Sequence, residues 1–428
     1  MMKILVRGNK EYEAELARLA HRGDEDLAAV EPRVAAILAE VREGGDAALV
    51  RVTERIDGRK PDPLAYGPDE MARALDALDP VARDTMAFAA RRVRALHEQQ
   101  VEHGRRFHDA DGVELGWRVR PLDRAGIYAP GGKARYPSSV LMAAIPAQVA
   151  GVREIYVTTP RPTTEVLAAA ALAGVSRVFD LGGAVAIAAL AFGTETVPRV
   201  DKIVGPGNLY VTAAKKLVFG RVAIDGLAGP SEILVVADDG ADPAVVAADL
   251  LSQAEHDEAA YPLLVTISRA MADRIIAEVD AQLAKLPRHE IASVSVREHG
   301  RAFVANDLDE AARVATVLAA EHLALLVRDP DALFAKIGAA GAAFLGDYTP
   351  EAAGDYLAGP SHVLPTGGAV RFASPLGVYD FQVRTSVIKY TRESLEQHAD
   401  RITRFARLEG LEAHARAVDV RVPRPPAR

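Results

Sequence analysis

The spacing of apolar residues predicts that the first hundred residues are mainly helical. Apolar positions recur on one helical face in residues 25–43, and the glycine pair Gly44-Gly45 is predicted to end that helix. A second long helix is predicted over residues 79–97, opened by an aspartate cap and a proline. After about residue 127, short apolar runs alternate with Ala-rich segments, a spacing typical of a parallel sheet with crossover helices.

This alternation predicts an α/β fold in two sections. The predicted strands are residues 155–158, 178–181, 202–204, 233–237, 263–267 and 323–327. The predicted helices are residues 164–173, 183–192, 211–219, 244–256, 270–283 and 308–320.

The C-terminal segment has a different pattern. An extended stretch is predicted up to Tyr390, followed by one amphipathic helix whose apolar face contains Leu395, Ile402, Phe405 and Leu408. A lone terminal helix cannot bury such a face by itself, so it is expected to dock on its own chain or on a partner subunit. The Pro/Arg-rich residues 423–428 are predicted to be disordered.

Composition excludes several classes of protein. The 428 residues carry 51 Lys plus Arg against 59 Asp plus Glu, a net charge of −8 without a basic stripe, which argues against a nucleic-acid partner. Cysteine is absent, which excludes disulfides, thiolate metal sites and a cysteine nucleophile. No apolar run reaches the roughly 18–20 residues of a membrane span, and no signal peptide is recognised at the N-terminus. The chain is therefore expected to be soluble and cytoplasmic.

Two candidate metal ligands lie at the end of the predicted helix 244–256. Gln253 and His256 are three residues apart and share one helix face, so their oxygen and nitrogen could point at the same atom. A solvated or hydrogen-bonded surface pair is the alternative interpretation. Asp355 and His362 in a Gly/Pro-rich loop and His414 near the C-terminus add donors suited to zinc, although no single spacing forms a metal signature.

Glu321 and His322 are candidates for acid–base chemistry. They lie between a predicted helix and the predicted strand 323–327, where side chains can reach a cleft. A histidine titrates near neutrality and a carboxylate can order a water molecule, a pair suited to removing protons from an alcohol and from water. Exposed charges at a helix end are the alternative. The histidines at positions 97, 103 and 108 have polar neighbours and are predicted to lie on a wet surface.

Two glycine-rich turns are candidates for nucleotide binding. Gly205-Pro206-Gly207-Asn208 lies between a predicted strand and helix, where backbone N–H groups could meet an anion, but it is not a G-x-G-x-x-G fingerprint. The turn that begins at Tyr128 offers an aromatic platform or merely a hinge.

Seven motifs, in this order, make nearly the whole chain resemble histidinol dehydrogenases. They are Tyr128-Ala129-Pro130-Gly131-Gly132, Gly205-Pro206-Gly207-Asn208, Ala228-Gly229-Pro230-Ser231-Glu232, Ser252-Gln253-Ala254-Glu255-His256, Glu321-His322-Leu323, Ser361-His362-Val363-Leu364-Pro365 and Glu409-Gly410-Leu411-Glu412-Ala413-His414. The resemblance implies the four-electron oxidation of L-histidinol through the aldehyde to L-histidine, the last two steps of histidine biosynthesis, with two NAD molecules used in turn.

The resemblance also implies roles for individual residues. Zinc, one ion per subunit, would be held by Gln253, His256, Asp355 and His414, while Glu321 and His322 would be the acid–base residues. Substrate contacts would come from the zinc ligands, His322, Ser231, His362 and Glu409. NAD contacts would come from Tyr128, Asn208 and the position of Val185.

The family fold implies two incomplete Rossmann-like α/β domains with extended N- and C-terminal segments, intertwined in a homodimer. The expected division is an N-terminal helical segment (1–23), a first α/β domain (24–127 with 232–376), a second Rossmann-like domain (128–231) and a C-terminal tail (377–428). Glu409 and His414 would then be supplied by the other subunit.

One residue departs from the family pattern. Where the family usually has glutamine at the NAD site, Gly182-Gly183-Ala184 is followed by Val185, which cannot form a side-chain hydrogen bond. Two alternatives therefore remain beside a histidinol dehydrogenase. One is a paralogue that oxidises another amino or sulfonated alcohol, and the other is a metal- and nucleotide-binding relative without turnover.

Overall fold

Two compact units make up the computed structural model, which describes residues 2–23, 27–131 and 136–422. The first unit comprises Met1–Gln100 with Leu122–Phe381, and the second comprises Val101–Pro121 with Gln382–Arg428. Gly132 and the C-terminal residues 423–428 lie outside the described residues. The prediction of disorder at that terminus therefore concerns residues that are not described.

Strands and helices alternate through most of the described chain. The strands are β1 (Lys3–Val6), β2 (Ala65–Tyr66), β3 (Arg105–His108), β4 (Glu114–Pro121), β5 (Arg124–Tyr128), β6 (Glu154–Thr158), β7 (Arg177–Phe179), β8 (Lys202–Val204), β9 (Ala223–Ile224), β10 (Glu232–Ala237), β11 (Tyr261–Thr266), β12 (Arg301–Val304), β13 (His322–Leu326), β14 (Ala342–Leu345) and β15 (Gln382–Lys389). The helices are α1 (Lys10–Ala20), α2 (Glu31–Asp57), α3 (Pro68–Asp76), α4 (Pro80–Glu98), α5 (Pro137–Ala150), α6 (Thr164–Leu172), α7 (Gly183–Phe192), α8 (Leu209–Val218), α9 (Pro243–Ala254), α10 (Arg269–Leu283), α11 (His289–Glu298), α12 (Leu308–Leu318), α13 (Pro330–Phe334), α14 (Glu351–Tyr356), α15 (Arg392–Leu408) and α16 (Glu412–Asp419).

The first sheet of the first unit is fully parallel, in the order β1-β12-β11-β10-β13-β14. Apolar residues of α9, α10 and α11 cover one face, and residues of α1, α12 and α13 cover the other. The central strands β10 and β13 are buried along their whole length, which explains their continuous apolar sequence. Each begins with its one charged or polar residue, Glu232 and His322, so the amino edge of this sheet carries buried polar groups.

The second sheet of the first unit has the order β2-β7-β6-β5-β8-β9. Five of its strands run parallel, and β2 joins β7 antiparallel at the edge. Residues of α2, α7 and α8 form a hydrophobic core on this sheet. One parallel and one mainly parallel sheet, with helices on their faces, confirm the predicted α/β fold class.

The second unit is small. Strands β3, β4 and β15 form a three-stranded antiparallel sheet, and α15 packs against α16. The apolar face predicted for the terminal helix is poorly covered within the chain, since Phe405 is 65% exposed and Leu408 is 80% exposed. That helix ends at Leu408 and a second one starts at Glu412, so the prediction of a single terminal helix was wrong; Gly410 adopts a φ of 75° between them.

Three of the other differences from the predictions lie in the first hundred residues. The helix expected to end at Gly44-Gly45 breaks at Gly45 (φ 51°, ψ −142°) but resumes to Asp57, because the carboxylate of Glu195 accepts the N–H of Asp46 and restarts the helix. The N-terminal segment begins with a strand, β1, that was missed because it has only four residues. His97 is fully buried and its Nδ1 lies 2.7 Å from the oxygen of Val93, so its predicted wet surroundings were wrong.

None of the helices within the described ranges is long and apolar enough to cross a membrane.

Candidate active site

The candidate site is built on the amino ends of the two central strands of the first sheet. Ile233 of β10 pairs with His322 of β13, so Glu232 and His322 lie side by side where the strands begin. Helix α9 follows β10 and returns antiparallel to it, which brings its last turn back to this same edge. Gln253 and His256 are in and just beyond that turn, and α14 completes the group with Glu351 and Asp355.

Gln253 and His256 have the geometry of a ligand pair. Nδ1 of His256 lies 3.2 Å from Oε1 of Gln253. Two ligands of a tetrahedral zinc ion with bonds of about 2.0–2.1 Å are separated by roughly 3.3 Å, so this spacing fits a shared cation. Gln253 is fully buried, which contradicts the alternative of a solvated surface pair.

Carboxylates supply the negative charge beside this pair. Donor atoms of His322, Glu351 and Asp355 all lie within 4.8 Å of one another. Burial raises the pKa of the carboxyl groups of Glu351 and Asp355, because the charged forms lose hydration. A divalent cation bound beside these groups would stabilise the ionised acids.

His322 has a defined orientation. Its Nδ1 lies 2.9 Å from the backbone oxygen of Glu232, an acceptor only, so Nδ1 keeps its proton and Nε2 is the nitrogen that can gain or lose one. Nε2 faces the carboxylates and lies 3.6 Å from Oε1 of Glu351. Burial by itself lowers the pKa of His322, but the neighbouring carboxylates of Glu321, Glu351 and Asp355 outweigh it and raise the pKa to about 10.

Glu321 and Glu232 are joined by two reciprocal hydrogen bonds. The N–H of Glu232 donates to Oε2 of Glu321 at 2.9 Å, and the N–H of Glu321 donates to Oε2 of Glu232 at 3.2 Å. The Glu232 carboxylate also forms an ion pair with Arg22 in which both side chains are 1% exposed. This pair anchors the start of β13, because Arg22 donates in addition to the last carbonyls of α12 at Leu318.

His362 lies against Asp355 and α5. Its Nδ1 is 3.1 Å from the backbone oxygen of Asp355, and its Nε2 is 3.3 Å from Oγ of Ser139. Burial lowers the pKa of His362 to about 4, which keeps the imidazole neutral. Ser231 precedes β10, and its backbone oxygen accepts the N–H of Tyr261.

The residues predicted for NAD lie at the carboxyl edge of the second sheet. Tyr128 ends β5, is 5% exposed, and its hydroxyl accepts the N–H of Gly183 at the start of α7. Asn208 caps α8 by accepting the N–H groups of Tyr210 and Val211. Val185 is 3% exposed and packs in the hydrophobic core beneath this edge.

An ion pair supports the glycine turn next to Asn208. Oδ2 of Asp225 accepts the N–H of Gly205 at 2.7 Å, while Lys215 pairs with Asp225 and donates to the oxygen of Gly205. A side chain at position 205 would clash with the backbone oxygen of Tyr128, at 2.1 Å from the added carbon. The close approach of these two backbones therefore requires glycine.

The two remaining predicted site residues belong to the second unit. Glu409 is the C-cap of α15, and His414 lies in α16; both are exposed. The first unit thus brings together Gln253, His256, Glu321, His322, Asp355 and His362.

Sequence reasoning missed Glu232 and Glu351. Both charges stand at the first position of an element, where an acidic residue is ordinary, and Glu351 directly follows Pro350 like many first-turn glutamates. A weak signal did exist for Glu232, since it is a charged residue directly before a run of five apolar ones.

Known proteins are similar to this chain over nearly its whole length. The profile of the histidinol dehydrogenase family matches residues 20–422. A histidinol dehydrogenase of Aquifex aeolicus is 50% identical over 408 residues, covering 95% of this chain and 96% of that protein. One from Pseudomonas putida is 51% identical over 401 residues, covering 92% and 91%. The crystal structure of histidinol dehydrogenase from Elizabethkingia anophelis has a TM-score of 0.92, with 34% identity over 98% of both chains.

Proposed function

The chain belongs to the histidinol dehydrogenase family, and we propose that the centre at the amino ends of β10 and β13 performs both oxidations of that family's reaction. Family membership makes the protein an NAD-dependent oxidoreductase that converts histidinol to histidine. The function and the cofactors zinc and NAD expected from the motifs are confirmed at this level. The residue roles that follow are our proposal.

The orientation of His322 carries the proposal. Because Nδ1 is engaged by the Glu232 oxygen, Nε2 is the atom that accepts the hydroxyl proton while hydride leaves the carbinol carbon for NAD. The first oxidation thus gives the aldehyde, NADH and one proton. A buried base within a group of carboxylates is also shielded from bulk water, which limits loss of the aldehyde before the second step.

Glu321 acts in the second oxidation. One of its carboxylate oxygens accepts the N–H of Glu232, which leaves Oε1 to order and deprotonate a water molecule that adds to the aldehyde. As water adds, the protonated His322 gives its proton to the aldehyde oxygen, which completes the hydrate. The hydrate then loses its second hydride to a new NAD, with His322 again accepting the hydroxyl proton. The products of this step are the carboxylate, NADH and protons, with water as the source of the added oxygen.

Gln253, His256 and Asp355 provide three ligands for zinc, with His414 as the fourth. A zinc ion held by these residues would supply a site for nitrogen atoms of the substrate and a positive charge that opposes protonation of His322. Ser231, His362 and Glu409 complete the substrate contacts. The neutral imidazole of His362 suits a hydrogen bond to an uncharged substrate group, whereas the carboxylate of Glu409 suits an ammonium group.

A homodimer that supplies Glu409 and His414 in trans is supported by two apolar surfaces. One is the exposed face of α15, including Phe405 and Leu408. The other is a groove of about 370 Å³ between α4 and α5, whose rim includes Tyr356 and Leu357 directly after Asp355. A partner's terminal helices docked on that groove would bury both surfaces and reach the metal ligands.

NAD is proposed to bind at the carboxyl edge of the second sheet, against Tyr128 and Asn208 and near Val185. The starts of α7 and α8 lie there, and helix N-termini favour the negative charge of a pyrophosphate. A cytoplasmic location is proposed in addition, because an NAD-linked biosynthetic role is typical of that compartment.

The test is the stoichiometry of NADH formation by the purified protein with zinc, NAD and L-histidinol. Two NADH are expected for each histidinol consumed. His322→Asn should lower kcat by about 10²–10⁴-fold, the usual contribution of a general base, while bound zinc remains unchanged. One NADH per substrate, or oxidation of a different alcohol only, would support the paralogue, and no reduction of NAD with any alcohol would support a binding protein.

A further inference from the structure

The strongest unassigned feature is the contact between Glu351 and the amide of Gln253. Glu351 is 1% exposed and Gln253 is 0% exposed. Nε2 of Gln253 donates to Oε1 of Glu351 at 2.8 Å, and Oγ of Ser252 donates to Oε2 at 2.9 Å. The other end of the same amide, Oε1, faces His256.

The orientation of that amide decides whether Gln253 can be a metal ligand. A side-chain amide offers an oxygen at one end and an NH₂ group at the other, and only the oxygen binds a divalent cation. The two ends have nearly the same shape, so packing alone does not select one. A specific hydrogen-bond partner is needed to select it.

Glu351 provides this selection. A carboxylate oxygen accepts hydrogen bonds only, so the NH₂ end of Gln253 must face it, and the amide oxygen must face His256. This selection holds whether or not the Glu351 carboxyl group is ionised. A proton on Oε2 of Glu351 would be directed to Ser252, and Oε1 of Glu351 would remain an acceptor. Reversing the amide would place two oxygens 2.8 Å apart in a buried site.

We propose that Glu351 is a positioning residue that holds the oxygen of Gln253 toward the metal centre and thereby sets the affinity for the ion. This inference rests on the proposed role of Gln253 as a ligand. Partners that orient metal ligands typically contribute about 10–100-fold in affinity. Glu351 acts on the metal through Gln253. Its separate contact with His322, 3.6 Å between Oε1 and Nε2, concerns the acid–base residue and not the orientation of the amide.

The experiment measures the dissociation constant for Zn²⁺ by competition with a chelating dye, and the visible spectrum of the Co²⁺-loaded protein. Glu351→Gln is expected to weaken Zn²⁺ binding by about 10–100-fold, because a glutamine can present either end of its amide to Gln253. The Co²⁺ spectrum should change with the ligand set. Glu258→Gln, which removes an exposed charge two residues after His256, is the matched control and should leave the affinity unchanged.

Two further variants test the orientation of the amide, and Glu351→Asp does so without changing the charge. Glu351→Asp keeps the charge but withdraws the acceptor by one methylene, so it should weaken binding as much as Glu351→Gln. The double variant Gln253→Glu with Glu351→Gln presents an oxygen at position 253 in either orientation, and it should bind Zn²⁺ more tightly than Glu351→Gln alone. This comparison between two variants stands even if Glu351→Gln lowers the melting temperature.

Wild-type affinity in Glu351→Gln, full affinity in Glu351→Asp, or a double variant no better than Glu351→Gln would each overturn the inference. Failure of the proposed function gives a different result. In that case the wild-type protein itself binds no metal or forms no NADH, whatever the variants do.

Discussion

The two parallel sheets of the first unit use opposite edges. In the second sheet the candidate NAD residues follow the carboxyl ends of strands, where ligands of open α/β sheets usually bind. In the first sheet the candidate metal and acid–base residues lie at the amino ends, beside the last turn of α9. In a βα unit the N-terminus of the helix lies at the carboxyl edge of the sheet, and its C-terminus lies at the amino edge. The same βα unit can therefore favour an anion at one edge and a cation at the other.

The two edges are also stabilised by different interactions. The amino edge of the first sheet depends on buried charges, above all the Arg22–Glu232 pair and the carboxylates around His322. The carboxyl edge of the second sheet depends on backbone turns, on the close approach of Gly205 to Tyr128, and on ion pairs such as Lys215–Asp225 and Arg59–Asp180. We therefore expect substitutions at the amino edge to change stability and metal binding, and substitutions at the carboxyl edge to change the affinity for NAD.

The largest effect is expected for Arg22→Met. Removing one partner of a buried ion pair leaves Glu232 charged and unpaired, which should cost about 3–5 kcal/mol of unfolding free energy in urea titrations. Arg42→Met is the matched control, because Arg42 pairs with Glu43 at an exposed site and should cost less than about 1 kcal/mol. Equal losses in the two variants would contradict a buried ionic support for the amino edge.

A smaller effect with a defined pH dependence is expected for Asp249→Asn in α9. Burial, followed by the nearby charge of Glu351, raises the pKa of Asp249 to about 6. A raised folded-state pKa stabilises the protein below the unfolded pKa of about 4, and this contribution is lost as the pH rises through 6. In metal-free protein, Asp249→Asn should therefore gain roughly 2–3 kcal/mol over wild type at pH 8 and nothing near pH 3.

A thermal-melt series from pH 3 to pH 8 checks this difference. A gain that is the same at all pH values would show that Asp249 acts through packing, and the charge crowding assigned to the amino edge would then be wrong.

The smallest effect is expected for Asp225→Asn at the carboxyl edge. The oxygen of an asparagine side chain can still accept hydrogen bonds from Gly205 and from the buried Lys215, so the loss should be smaller than for Arg22→Met. The weakened contact should loosen the Gly205 turn and raise KM for NAD by about tenfold, equivalent to about 1.4 kcal/mol. Bound zinc and KM for histidinol should stay unchanged. A loss of zinc instead of NAD affinity would remove the functional separation between the two edges.

Much of the fold could be predicted from the sequence because it depends on local patterns. The predicted strand 233–237 lies within β10, and the predicted helix 183–192 coincides with α7. Both were predictable because a continuous apolar run or an Ala-rich segment indicates a buried element by its own sequence. The site was predicted less completely. Gln253 and His256 are linked by helical spacing, whereas Glu351 meets Gln253 across 98 residues of sequence, a contact that no local pattern indicates.

The domain boundaries and the roles of the individual site residues remain predictions. They depend on the arrangement of elements distant in sequence and, for Glu409 and His414, on a second subunit.

The sequence by itself determined the α/β class, the family and most candidate ligands, because periodicity and ordered motifs are properties of the chain. Only the tertiary structure decided that Glu232 orients His322, that Glu351 orients Gln253, and that His97 is buried. Those outcomes depend on which buried polar atoms come within hydrogen-bond distance, and folding sets that through strand register and the return path of helices.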